Sequence, residues 1–152
     1  MQTSHPRWVN AILGYGFIAN SIPGLWALFI PHDFYAHFPG FGHAWVSVDG
    51  PYNEHLIRDV GAFFLAMSVL CLLAFVRPRL VAPRAVALCL LAFAIPHLIY
   101  HLNHLHMLPP VDQIGNVVAL SLGVMVLIPL LFYRPTELPE PLLPHNTTSH
   151  HE

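Results

Sequence analysis

Four histidines fall within PHLIYHLNHLH, residues 96–106. Imidazole is the commonest protein ligand for transition metals, so this stretch is where chemistry is first sought. At about 100° per residue, His97, His101 and His104 share a helix sector about 60° wide that rises about 10.5 Å, while His106 falls on the opposite side. His97 and His101, four residues apart, can offer two ring nitrogens to one ion, the spacing zinc proteases use on a helix; the glutamate of H-E-x-x-H is missing.

A second polar group lies in NEHLIRDVGA, residues 53–62. Helical spacing puts His55 and Asp59 on one face and Glu54 and Arg58 on the adjacent one. His55 would supply a third ligand, with Asp59 accepting from its other ring N–H and so fixing the ring's orientation. The expected ligand set is therefore His55, His97 and His101, with His104 as the fourth. Glu54, Arg58, Asp59, Asp112 and Asn116 would surround it, and Glu54 or Asp112 could complete the coordination. Such mixed imidazole and carboxylate donors suit zinc, iron or copper(II).

Two other readings use the same residues. One histidine on each of two facing helices is how membrane cytochromes hold haem b, and His55 with His97 or His101 would serve as the axial pair. Alternatively, the polar groups satisfy one another with no cofactor. His55 would then pair with Asp59 and Glu54 with Arg58, and Asp112 after LPP would cap a helix. No reaction is assigned in any of the three.

The elements that must position these groups follow from composition. Of 152 residues, 55% are hydrophobic and 9% charged, and mean hydropathy is +0.57; soluble domains carry about 25% charged residues. This is the profile of an all-α membrane protein in contact with a lipid bilayer. A formal charge of -2 offers no basic stripe for nucleic acid. Four apolar segments, at about 8–30, 55–76, 85–106 and 112–133, have the roughly 20-residue length a spanning helix needs. They predict a four-helix transmembrane bundle over residues 1–134, a retained first span rather than a signal peptide, and a polar, disordered tail over 135–152.

Arg77, Arg79 and Arg84 crowd the link between the second and third spans, and Arg7 and Arg134 flank the outer pair. The positive-inside rule then puts both termini in the cytoplasm of a multi-pass protein of the cell membrane. The glycine-, proline- and aromatic-rich loop 31–54 would lie outside, over the histidines. The NTT pattern and the terminal histidines belong to the tail and are read as solvated.

Depth and direction refine the expectation. His101, His104, His55, Asp59, Asp112 and Asn116 should converge in one layer at the outer rim. Small residues beside them mark the buried faces: Ala62 and Ala66 with His55, Ala119 and Gly123 with Asn116, and Gly16, Asn20, Pro23 and Ala27 on the first span. Spans two and four also echo each other at an offset of 57, His55 falling on Asp112 and Asp59 on Asn116.

The segment NEHLIRDVGA resembles one in small four-helix integral membrane proteins of bacteria, which implies the same four-span architecture and no activity or cofactor. Phosphate loops, G-x-S-x-G elbows and zinc-deaminase patterns are missing. Ser21 is a poor nucleophile candidate, and Cys71 and Cys89 read as packing residues. A homo-oligomer and a subunit of a larger membrane complex both fit the composition.

Overall fold

The computed structural model describes residues 5–134. These residues are mainly α-helical, with one two-residue antiparallel ladder, and the expected tail over 135–152 lies outside them. Four long helices, α1 (Arg7–Phe29), α3 (Glu54–Val76), α4 (Pro83–His104) and α5 (Pro110–Phe132), are each long and apolar enough to cross a membrane. Each begins and ends within two residues of its expected span. The segment after α1 forms a short helix, α2 (Pro31–His37), then the hairpin of β1 (Pro39–Gly40) and β2 (His43–Ala44). A 3-10 turn at Leu105–Met107 joins α4 to α5.

Local chemistry sets these boundaries. Asn53 caps α3, its side chain accepting from Leu56 N–H at 3.1 Å. Proline opens α2, α4 and α5, where a missing backbone N–H costs nothing. At the hairpin tip Gly40 and Gly42 take φ of 99° and 84°, which lets the chain reverse and leaves Phe41 fully exposed between them. An aromatic ring in that position suits the headgroup layer.

The helices form two pairs, α1 against α3 and α4 against α5, with fewer contacts between the pairs. The α1–α3 crossing is the closest. A Cβ at Gly61 would stand 2.5 Å from the backbone nitrogen of Leu28 and 2.9 Å from the carbonyl oxygen of Gly24; one at Gly24 would stand 3.1 Å from the nitrogen of Leu65. Backbone meets backbone there, a common device between helices in lipid. The crossing is tied polar group to polar group. Ser21 Oγ lies 2.6 Å from Ser68 Oγ. Arg58 Nη1 donates to the carbonyl of Leu28 in the last turn of α1, while its Nε donates to Glu54 at 2.8 Å, the expected ion pair.

The buried face of α3 is Ile57, Gly61, Ser68, Cys71 and Ala74. This corrects the expected face: Ala62 and Ala66 point outward, as do His55 and Asp59. Because Asp112 and Asn116 are buried on α5, the echo between spans two and four does not correspond to a shared environment. Cys71 is packed as expected, whereas Cys89 faces out of the bundle.

Two cores stack along the bundle. Val9, Leu13, Cys71, Ala74, Val86, Leu90, Leu127 and Leu130 fill the end where α1 begins, α5 ends and the 77–82 link lies. Ala27, Phe34 and Ile57, with Trp26, Tyr35, Phe38, Val46 and Tyr52, form a smaller aromatic core at the loop end. Along the middle of the four long helices the outer surface is apolar, with Ile18, Ile22, Leu25, Phe75, Leu88, Ile95, Leu122 and Met125 exposed. Such a surface is compatible with lipid contact, not with water.

Candidate functional site

Between the two cores the helix pairs part around a cavity of about 540 Å³. Its long walls are apolar, with Tyr15, Gly16, Met67, Leu90, Leu120, Gly123 and Leu127 toward the deep end. The loop segment closes over the other end, contributing Phe34, Tyr35, Phe38, Trp45, Val46 and Asp49 to the lining. The expected cover thus exists, and it is part of the wall.

Polar groups gather near that covered end. His97 and His101 both line the cavity, their ring centroids 4.6 Å apart and nearly perpendicular. Phe93, one turn deeper, stacks on His97 at 4.9 Å. Asn20 also faces the cavity but spends its amide N–H₂ on the Gly16 carbonyl at 2.7 Å. Asn116 is 2% exposed, lines the cavity, and has no partner for its Oδ1 among the described residues. Trp45 Nε1 is likewise buried without a partner among the described residues. Buried polar atoms are normally hydrogen-bonded, and these two, on residues that line the cavity, are themselves closed to solvent.

The loop is held down from α5. His43 Nδ1 lies 2.5 Å from Asp112 Oδ1; the side chains are 40% and 9% exposed. Asp112 sits in the first turn of α5, where the helix dipole favours a carboxylate. It is not the N-cap expected from LPP, since Pro109 occupies that position. Two residues after His43, Trp45 rests against α5: a Cβ at Gly115 would be 3.3 Å from Trp45 Cζ2. Asp112→Ala removes the tether and is expected to cost about 1–3 kcal/mol. Hydrogen exchange over residues 38–46 should rise by about tenfold or more. Unchanged exchange there would show that the loop is anchored by its aromatic packing alone.

A second acid fixes the start of the loop. Trp26 Nε1 donates to Asp33 Oδ2 at 2.7 Å, and His37 Nδ1 lies 2.8 Å from Oδ1. The Trp26 hydrogen bond first, then that from His37, holds the Asp33 carboxyl below its ordinary value of 3.8. A depressed carboxylate stabilises the fold above the unfolded value, and that contribution is lost as pH falls through the lower folded one. Asp33→Asn should therefore flatten the acid side of the melting-temperature profile below pH 3.8 and leave its neutral limb the same shape.

The expected four-histidine set is not brought together. His55 is 87% exposed, its Nδ1 3.0 Å from Asp59 Oδ2 on the outside of the bundle. Asp59 does hold the His55 ring as anticipated, but away from the cavity. His104 lies outside the cavity lining, donates from Nδ1 to the Tyr100 carbonyl at 2.8 Å, and stacks on the Tyr100 ring. Glu54 and Arg58 serve the α1–α3 crossing, and Asp112 serves the loop. Among the described residues no three His, Cys, Asp or Glu side chains are placed to hold one ion. His55 is not among the residues lining the cavity that His97 and His101 share. The error came from treating polar residues in the first turn of α3 as interior; at a helix start they reach the interface without turning inward.

What fold and cavity define is a four-helix bundle with four membrane-spanning-capable helices and, between them, a cavity lined by the aromatic loop at its more polar end. Comparison with known proteins gives no matching family model, no matching curated protein and no matching solved structure.

Proposed function

We propose that this multi-pass protein of the cell membrane binds a small lipid-soluble molecule in the cavity between its two helix pairs, with the molecule's polar group at His97, His101 and Asn116. The observation that carries the proposal is the cavity itself, whose roughly 540 Å³ lies in the range of small-molecule sites. Its mostly apolar walls with a few converging polar groups are the usual composition of such a site. The arginines at 77, 79 and 84 favour a cytoplasmic location for the terminal end, so the cavity's polar end lies in the outer leaflet. Native mass spectrometry of the detergent-purified chain, titrated with single-chain lipids bearing different head groups, tests it. At least one should bind at a one-to-one ratio; if none does, the cavity is a packing void and the proposal fails.

A second reading keeps a metal or haem at the same wall, because His97 and His101 are adjacent and both face the cavity. Zinc, iron or copper would then use these two imidazoles with ligands from the bound molecule, or one imidazole would hold haem b. Elemental analysis of protein made without a histidine tag, and a Soret band after expression with haem supplied, decide between the readings. Bound metal or haem at stoichiometry, lost in His97→Ala and His101→Ala, would favour the second.

A further inference from the structure

We propose that the molecule held in the cavity carries a cationic head, an amine or quaternary ammonium on a hydrocarbon chain, and that Asp49 at the loop end receives that charge. This rests on the cavity-binding reading above and adds the chemical class of the ligand.

Asp49 is set apart by its lack of a partner. Of the five carboxylates among the described residues, four are satisfied within 3.0 Å: Asp33 by Trp26 and His37, Glu54 by Arg58, Asp59 by His55 and Asp112 by His43. The carboxylate of Asp49 makes no hydrogen bond or ion pair among the described residues. It is also the one of the five that lines the cavity. Its place is where the cavity meets the surface, since Asp49, Gly50, Pro51, Asn53 and Leu56 all line it and are themselves exposed. A charged head can stay hydrated at this mouth while its chain runs inward between the helices, so no ion has to enter hydrocarbon.

The groups around the mouth favour a positive head. Tyr35, also in the lining, is fixed beside Asp49: its O–H donates to the Gly50 carbonyl at 2.6 Å, and its ring packs edge-on to Tyr52 at 5.3 Å. A phenol ring attracts a cation to its face. Asp49 lies close enough to His101, the outer of the two cavity histidines, for the pair to interact electrostatically. A neutral imidazole there offers a lone pair to an ammonium N–H. Nothing positive and permanent opposes the head. The chain has no lysine, no arginine is in the lining, and Arg58 at the start of α3 is engaged by Glu54 and the Leu28 carbonyl. An anionic head would meet Asp49 with no balancing charge, and an uncharged one would gain nothing from it.

The test uses the full chain in a neutral detergent at about pH 8, where an ordinary imidazole is uncharged. The probes share one chain: dodecyltrimethylammonium, dodecylamine, dodecylphosphocholine, dodecanol and dodecanesulfonate. Each affinity is read as a ratio between wild type and Asp49→Asn, which cancels the probe's own partition into detergent. The ammonium and the amine should weaken about fivefold in the variant, dodecanol should change by less than about twofold, and the sulfonate should tighten. Asp49→Arg should reverse the order, holding the sulfonate better than the ammonium. Because the Asp49 side chain is exposed and bonds to nothing, neither variant removes a contact of the fold. If dodecylphosphocholine weakens as much as the ammonium does, the natural source is a zwitterionic lipid headgroup; if it holds as dodecanol does, the source is a free amine. Cationic probes that bind equally to wild type and Asp49→Asn, or a wild type that prefers the sulfonate, overturn the charge assignment and leave the cavity reading intact. Binding of no probe overturns both.

Discussion

Gly61→Ala is expected to be the most damaging single methyl in the protein. The added carbon would sit 2.5 Å from the backbone nitrogen of Leu28 and 3.0 Å from the carbonyl carbon of Ala27. These are backbone atoms inside a helix, so no side chain can swing aside. The helices must move apart, and overpacking of this kind costs about 1–3 kcal/mol or more. The loss spreads, because the same crossing carries the Ser21–Ser68 contact and the Arg58 hydrogen bond to Leu28. Thermal melts in detergent should show a drop of several degrees at least, and Gly14→Ala, where a Cβ meets nothing within 4 Å, should show almost none. Equal melting temperatures for the two variants would mean that α1 and α3 do not touch as described.

Gly123→Leu should act in the opposite sense, leaving the fold whole and removing the site. Gly123 lines the cavity, and a Cβ there would meet nothing within 4 Å. A leucine therefore grows into empty space instead of into a neighbour. It also gains about 1 kcal/mol in helix preference over glycine and fills volume that otherwise lacks packing partners. Melting temperature should hold or rise, while binding of any single-chain lipid should weaken by about a hundredfold or more, as expected when a side chain occupies the ligand's own volume. Undiminished binding would put the ligand elsewhere on the protein.

Much of the architecture was legible because a spanning helix is a long-range average: four runs of apolar residues of the right length are hard to mistake. The cavity-facing residues of α1 and α5 were legible for a related reason. Asn20, Pro23, Asn116, Ala119 and Gly123 stand out against apolar neighbours, and all of them line the cavity. His97 and His101 were found by their shared helix sector.

The failure concerned α3. Two small-residue stripes compete on that helix, His55–Ala62–Ala66 and Ile57–Gly61–Ser68, and the polar head of the first drew the choice. Packing went the other way because only Gly61 allows the Leu28 backbone to approach, and a glycine's value there depends on where the partner helix crosses. Trp45 and His43 were beyond periodicity altogether. Their positions depend on how the loop folds back on α5, a contact between residues about 70 apart in the chain. The signal that could have found them was chemical: an indole and an imidazole two residues apart in an apolar loop, opposite a carboxylate near the start of the last span.

The two cysteines carry a practical corollary. Cys71 is sealed in the core, while Cys89, about two turns into α4 from the terminal end, looks into the surroundings. The unaltered chain therefore offers apolar thiol reagents a single anchorage point. A nitroxide attached there would sit at a fixed depth, and its relative broadening by oxygen dissolved in lipid and by a water-soluble nickel chelate would measure how far the bundle sinks into the bilayer.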